Sequence, residues 1–306
     1  MTLDAVLTVL IAVMGGAIRV STPFLFVSLG ECITEKSGRI NLGLEGTMVF
    51  GAMFGYAVSY HSGSPWLGVL AAGCSGVVFG AVHGLLCSLP RVNDTAIGIS
   101  LIVLGLGLAY FFGKAYIQPT APRLPSLDLG AWSDRPALRA ALQVNVLFIV
   151  GAVLAFVLHW AFANTRWGLQ LRTVGDSADA ARALGLSVAR TRVMATAMGG
   201  FFGGVAGAYL SLYYPGSWNE ALSSGQGVMA VALVIFARWR PLGCFRAALI
   251  FGGAGSIGPA LQAVGIQAGY HLWNAAPYVL TLAIMLASTS KARASIGAPG
   301  ELSMTR

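Results

Sequence analysis

The sequence predicts an all-α, polytopic membrane protein with about ten transmembrane segments. Three observations carry that prediction. Apolar residues make up 56% of the 306 residues and charged residues only 10%, with a mean hydropathy of +0.74; a soluble domain is about a quarter charged. Gly46–Pro90 and Ala247–Ser290 contain no Asp, Glu, Lys or Arg, and each is long enough for two helical spans of about 20 residues. The forty glycines follow no G-X-Y period, which excludes collagen, and the apolar content excludes a disordered chain.

Apolar runs bounded by charge or by Gly and Pro place the segments at 3–18, 20–33, 46–61, 65–89, 95–113, 140–163, 193–213, 223–237, 247–265 and 270–288. All lie in one transmembrane domain, 1–306. The second and eighth are short for a bilayer core of about 30 Å. Short or glycine-interrupted segments in corresponding halves mark broken helices in transporters. An inverted five-plus-five repeat would set segment two against seven and segment three against eight. The first segment opens with Asp4, has no basic residue before its apolar run and no small-residue cleavage site, so it reads as an uncleaved span.

The net charge of +8 fits topology-setting loop charge better than nucleic-acid binding. With the amino terminus inside, the inner loops collect Lys36, Arg39, Arg91, Arg166, Arg172, Arg182, Arg190, Arg192, Arg238, Arg240, Arg246, Lys291, Arg293 and Arg306, 14 of the 19 basic residues. The outer side keeps Arg19, Lys114, Arg123, Arg135 and Arg139. The split predicts both termini on the cytoplasmic side.

Cys32, Cys74, Cys87 and Cys244 lie in or beside apolar runs without CxxC spacing and read as packing residues. His61, His83, His159 and His271 share no ligand spacing, so no metal is expected. His83 falls inside segment four, where a polar group is costly, and is a candidate pore residue. The outer loop 114–139 contains Pro119, Pro122, Pro125 and Pro136, so it cannot be one helix. A lid, a docking surface and a plain connector all fit it.

Two stretches organise the rest. Thr34–Gly51 is a polar, glycine-punctuated break. The inner loop 164–192 has Asp176 or Ser177 as helix caps, Asp179 in the first turn, helix formers Ala180, Ala181, Ala183 and Leu184, and Gly185 as a stop. A short helix over about 176–185 follows. A knob for a soluble partner and an ordinary helix lying on membrane lipid are both open readings. Directly after it, Gly199, Gly203 and Gly207 form one ladder and Gly200 and Gly204 a second. Such spacing lets another backbone approach closely, whether for static packing or for sliding.

The chain resembles the permease subunits of bacterial ABC importers in the branched-chain amino acid, ribose and nucleoside superfamily. The nearest likeness is to the shorter permease of nucleoside importers that use a basic-membrane-lipoprotein-type binding protein. The likeness rests on Ser37–Gly46 (SGRINLGLEG), Asn93-Asp94 with Gly98, Gly168–Gly175 (GLQLRTVG), Ala180–Gly185 (AARALG), Ala206-Gly207-Ala208 and Ile235–Gly243 (IFARWRPLG). It implies that the helix near Asp176–Gly185 is a coupling helix gripped by a cytoplasmic ABC ATPase. It also implies a second, homologous permease and an extracytoplasmic solute-binding protein in a bacterial cytoplasmic membrane. No GxxxxGK[ST] occurs, so ATP hydrolysis belongs to another chain and this subunit is non-catalytic, with no cofactor expected.

The family's asparagine–glutamate stretch maps to Asn41 and Glu45. Four residues apart on a helix, they would share a face and could meet ribose hydroxyls or base edges. The alternative for Glu45 is a helix-start cap with ion pairs to Lys36 or Arg39. Asn93 either caps segment five or faces the path. Arg39, Ile102 and Met198 depart from the family pattern, which bears on cargo: a simple sugar, riboflavin or a branched-chain amino acid are alternatives to a nucleoside. An ion-coupled secondary transporter would show buried carboxylates; the spans look nearly free of them, with Glu31 and Glu45 flanking breaks. An intramembrane enzyme would need a converging catalytic set, and none is visible.

Overall fold

A computed structural model describes residues 3–134, 136–265, 269, 273, 275–288 and 297–304. Arg135, His271, Lys291, Arg293 and Arg306 lie outside the described residues. The helices are α1 (Leu3–Lys36), α2 (Leu44–Ser62), α3 (Pro65–Leu86), α4 (Asp94–Gly113), α5 (Pro136–Ala141), α6 (Val146–Asn164), α7 (Arg166–Asp176), α8 (Ala178–Ala183), α9 (Val188–Leu212), α10 (Gln226–Phe236) and α11 (Pro241–Ala263). Two more span Ala276–Ser288 and Gly300–Met304. Strands β1 (Ser126–Asp128) and β2 (Gln143–Asn145) pair antiparallel, with Leu127 opposite Val144. Among the described residues, six helices are long and apolar enough to cross a membrane.

The first correction concerns α1. The boundary expected at residue 19 does not exist: segments 3–18 and 20–33 are one 34-residue helix, about 50 Å long. Pro23 lacks the N–H that would reach the Arg19 carbonyl, and the Tyr209 hydroxyl donates to that carbonyl instead, at 3.1 Å. Arg19 Nη2 donates to the Ala140 carbonyl, while Nε is buried without a partner among the described residues. The helix therefore continues through both residues. Near its start Val13 O accepts from Ser256 Oγ late in α11. At its end Lys36 Nζ donates to Gly297 O at 2.9 Å. The start of α1 and the helix Gly300–Met304 thus lie at opposite ends of the bundle.

The second glycine-rich stretch builds the centre. In α9, 72% of the span is buried, against 28% for α4 and for α6, so α9 is the spine and the other two are peripheral. Gly200 and Gly204 meet the α3 backbone at Gly76 and Ala72. Gly199 meets Thr34 and Gly30 of α1, Gly203 meets Leu44, and Gly207 meets the Met48 carbonyl of α2. A methyl group at any of the positions 199, 200, 204 or 207 would overlap one of these neighbours. Both ladders are occupied by packed helices on two different sides of α9.

At one end of the bundle the proline-rich loop straps helix ends together. Tyr56 Oη donates to Pro119 O at 2.8 Å, Ser59 Oγ to Pro122 O at 3.0 Å, and Leu124 N to Leu212 O at 2.9 Å. Cys32, Cys87 and Cys244 are buried and Cys74 is exposed; all four are free thiols.

Candidate functional site

Two helix breaks meet inside the bundle. The first is Ser37–Gly43 between α1 and α2. Gly38 adopts φ +82°, which a side chain would strain, and Gly43 precedes the first turn of α2. The second break runs from Tyr213 to Gly225, between α9 and α10. The helices that follow start face to face: a Cβ on Gly227 would overlap the Glu45 backbone.

Glu45 joins the two. Its carboxylate, 6% exposed, accepts from Ser223 Oγ at 2.5 Å, Gly225 N at 3.0 Å and Gly227 N at 2.6 Å. It thus caps the amino end of α10, where the orphan N–H groups and helix dipole favour an anion. The expected ion pairs with Lys36 or Arg39 are absent: Lys36 donates to Gly297 O, and Arg39 pairs with Asp94 at 2.7 Å.

Asn41 requires a second correction. It precedes α2, so it shares no helical face with Glu45. Its backbone N–H donates to Glu31 Oε1 at 2.8 Å, while its side-chain oxygen is buried and has no hydrogen-bond partner among the described residues. His83 is fully buried, with Nε2 3.1 Å from Ile40 O on the same break. Asn93 accepts from Thr95 N and Ala96 N and caps α4, the plainer of its two expected roles. It also borders a cavity of about 320 Å³ with Arg39, Ile40 and Asp94. Asn41 and His83 therefore gather at the first break, Asn93 stands beside it, and Glu45 reaches the second.

The expectation of spans nearly free of carboxylates also needs correcting. Glu31 lies inside α1 with Glu35 one turn on, and the two are 0% and 1% exposed. Glu35 Oε2 accepts from Trp239 Nε1 at 2.5 Å, just beyond α10. Their spacing of four was the available signal, since it sets both on one helix face.

The cytoplasmic-loop expectation resolves into two helices. Thr165 caps α7 through Gly168 N, and Gly168, Leu171, Val174 and Gly175 form its buried stripe. That cap and periodicity were legible, yet only the shorter helix was expected. Helix α8 is capped by Ser177 through Ala180 N, not by Asp176, which ends α7. Gly185 follows at φ +77° and donates to Arg182 O, so the stop falls where expected. Asp179, Ala180, Arg182 and Leu184 are exposed, whereas Ala181 is fully buried. Asp179 pairs with Arg182 at 2.5 Å.

The remaining histidines are dispersed. His61 Nε2 lies 3.0 Å from Tyr116 Oη, and His159 is exposed. Among the described residues, no three His, Cys, Asp or Glu side chains converge as a metal site would require.

Six candidate spans among the described residues, with a glycine-packed spine and two facing helix breaks, define a multi-pass membrane protein. The sequence matches, over residues 13–289, the family described as the branched-chain amino acid transport system permease component, and the chain belongs to that family. Its relatives include a protein of Haloferax volcanii provisionally named the glucose ABC transporter permease TsgC13. That relative is 34% identical over 78% of this chain and 74% of its own. The guanosine ABC transporter permease NupQ of Bacillus subtilis is 30% identical over 86% and 87% of the two chains. The nucleoside ABC transporter permease NupC of Lactococcus lactis is 28% identical over 89% and 90%. The chain is accordingly an inner-membrane, multi-pass transport permease.

Proposed function

We propose that this chain is the non-catalytic permease of an ATP-driven importer that brings a nucleoside, or a related small polar solute, into the cytoplasm of a bacterium by alternating access. The supporting observation is similarity along almost the whole chain to two permeases named for guanosine and nucleosides. ATP hydrolysis resides on a separate cytoplasmic ATPase that grips α8 at Asp179, Ala180, Arg182 and Leu184. Asp176, Ala181 and Gly185 shape that helix from its flanks and its buried face. A second homologous permease completes the pore, and an extracytoplasmic binding protein delivers the cargo. Asn41, Glu45, His83 and Asn93 are proposed to shape the solute path, Asn41 by contact and Glu45 by holding α10.

The cytoplasmic side is the end carrying Lys36, α7, α8 and Gly300–Met304, as loop charge requires. The chain's carboxyl end is then cytoplasmic. The amino end, expected there too, is instead outside, because α1 crosses once. The described members of the inner basic set keep their side, since only the stretch before Lys36 changes.

Uptake of labelled nucleosides into deletion and complemented cells tests the cargo, with unlabelled ribose, glucose, riboflavin and branched-chain amino acids as competitors. Nucleoside uptake is expected to fall on deletion and return on complementation. A simple sugar is the second reading, favoured by the 34% identity to a permease named for glucose; competition by glucose in place of nucleosides would select it.

A further inference from the structure

The residues 297–304 lie across the cytoplasmic end of the bundle and touch both α8 and the first break. Glu301 sits at the crossing. Its Oε1 accepts from Ala178 N, the first residue of α8, at 2.8 Å. Its Oε2 accepts from Arg192 Nη2 at 2.9 Å. Arg192, only 6% exposed, in turn donates Nε to Ser37 O at 3.1 Å, where the break begins. Gly38 packs against the Glu301 side chain, so a larger residue there would collide with it. Gly300 lies against the Asp176 carbonyl, and Leu302 packs onto the main core.

We propose that Glu301 is a positioning residue that transmits movement of α8 to the protein-buried break Ser37–Gly43. The inference rests on α8 being the helix that an ATPase moves. One carboxylate holds the amino end of α8 with one oxygen and the buried guanidinium with the other. Displacement of α8 draws Glu301 with it, and Arg192 follows because a buried cation is strongly held to its partner. Ser37 O is bonded to that same guanidinium. Four residues on, Asn41 is tied to Glu31, so the shift reaches the break that carries the proposed path residue.

The test uses the complete importer in proteoliposomes, measuring solute uptake and ATP hydrolysis together. A Leu184→Cys substitution, on the exposed side beyond α8, reports docking by cross-linking to the ATPase. Glu301→Ala is expected to lower uptake at least about tenfold, the scale of a lost charged hydrogen bond, while hydrolysis and cross-linking persist. Glu301→Gln, which keeps an acceptor oxygen, should fall between. If Glu301→Ala fails to reach the membrane, Glu301→Gln and Arg192→Lys carry the test, singly and combined. Losses that are less than additive support a shared link, and additive losses overturn it. Wild-type uptake in Glu301→Ala, or uptake and hydrolysis falling in parallel, also overturns the proposal. Absence of cross-linking with Glu301 intact would instead remove the docking on which it rests.

Discussion

The two helix breaks that meet at Glu45 are held by opposite means. The first, Ser37–Gly43, has no exposed residue and is tied by charged groups: Arg192 to Ser37 O, Arg39 to Asp94, and Glu31 to Asn41 N. The second, Tyr213–Gly225, is nearly twice as long and about half exposed. Glu45 holds its last residues through Ser223 and Gly225, and its other side-chain anchors to neighbouring helices are neutral. Trp218 Nε1 donates to Gly113 O at 2.9 Å, Tyr110 Oη to Glu220 O at 2.7 Å, and Tyr278 Oη to Ser224 O at 2.8 Å. Hydrogen bonds to charged groups contribute about 1.5–3 kcal/mol and neutral ones about 0.5–1.5 kcal/mol. The contrast teaches that one break is wired through Arg192 and Glu301 to α8, while the other is a largely aromatic-pinned loop that leans on peripheral helices.

The largest effect should come from cutting the wiring. Replacing Asp179-Ala180-Ala181-Arg182 by four serines is expected to abolish uptake with the protein still folded in the membrane, read by transport against immunoblot. Undiminished uptake would sink the assignment of α8 as the coupling helix. Next, Gly204→Leu strikes the spine that both breaks share, because its Cβ alone overlaps the Ala72 backbone. Overpacking costs about 1–3 kcal/mol or more, so the melting temperature in detergent should drop.

Glu45→Ala sharpens the comparison at its meeting point. It leaves Gly225 N and Gly227 N without their acceptor, at about 1–3 kcal/mol for each buried group. Hydrogen exchange should rise at the start of α10 and not at α2, and Glu45→Gln should show a smaller rise. Trp218→Phe should lower stability by about 1–3 kcal/mol, because the Gly113 carbonyl loses its donor and the fully buried indole leaves a gap, with uptake nearly unchanged.

The smallest effect concerns pH. Burial alone would raise the Glu301 carboxyl, but the Ala178 N–H and the Arg192 guanidinium outweigh it and hold it below the usual range. A depressed carboxylate contributes fully above its unfolded pKa and is lost as pH falls through the folded one. No change is expected around neutral pH. Loosening of the Glu301 contacts should appear only in acid, below the ordinary carboxylate range, as faster proteolysis of residues 297–304. The Trp218 anchor should not respond.

Much of the fold was legible because burial in lipid leaves a coarse signature. Charge-free runs located most spans, and GxxxG spacing located the spine. Asn93 and Ser177 were readable as caps because they precede helix starts. What was hidden depends on distant partners. Arg19 looked like a boundary because Ala140, its acceptor, lies 121 residues away. Glu45 looked like a cap for its own helix, whereas it caps one that begins 181 residues later, at Gln226. Asn41 looked helical because the spacing to Glu45 suits a helix, while Gly38 and Gly43 end that regularity first.

The length of α1 also bears on engineering. Permeases that act in pairs invite a single-chain version, with two copies joined end to end. With α1 crossing once, as proposed, a plain flexible linker could not make that join: Gly300–Met304 of one copy and the start of α1 of the next would lie on opposite sides of the bilayer, apart by the length of α1, about 50 Å. On that topology a tandem fusion would need an added membrane-spanning helix between the copies.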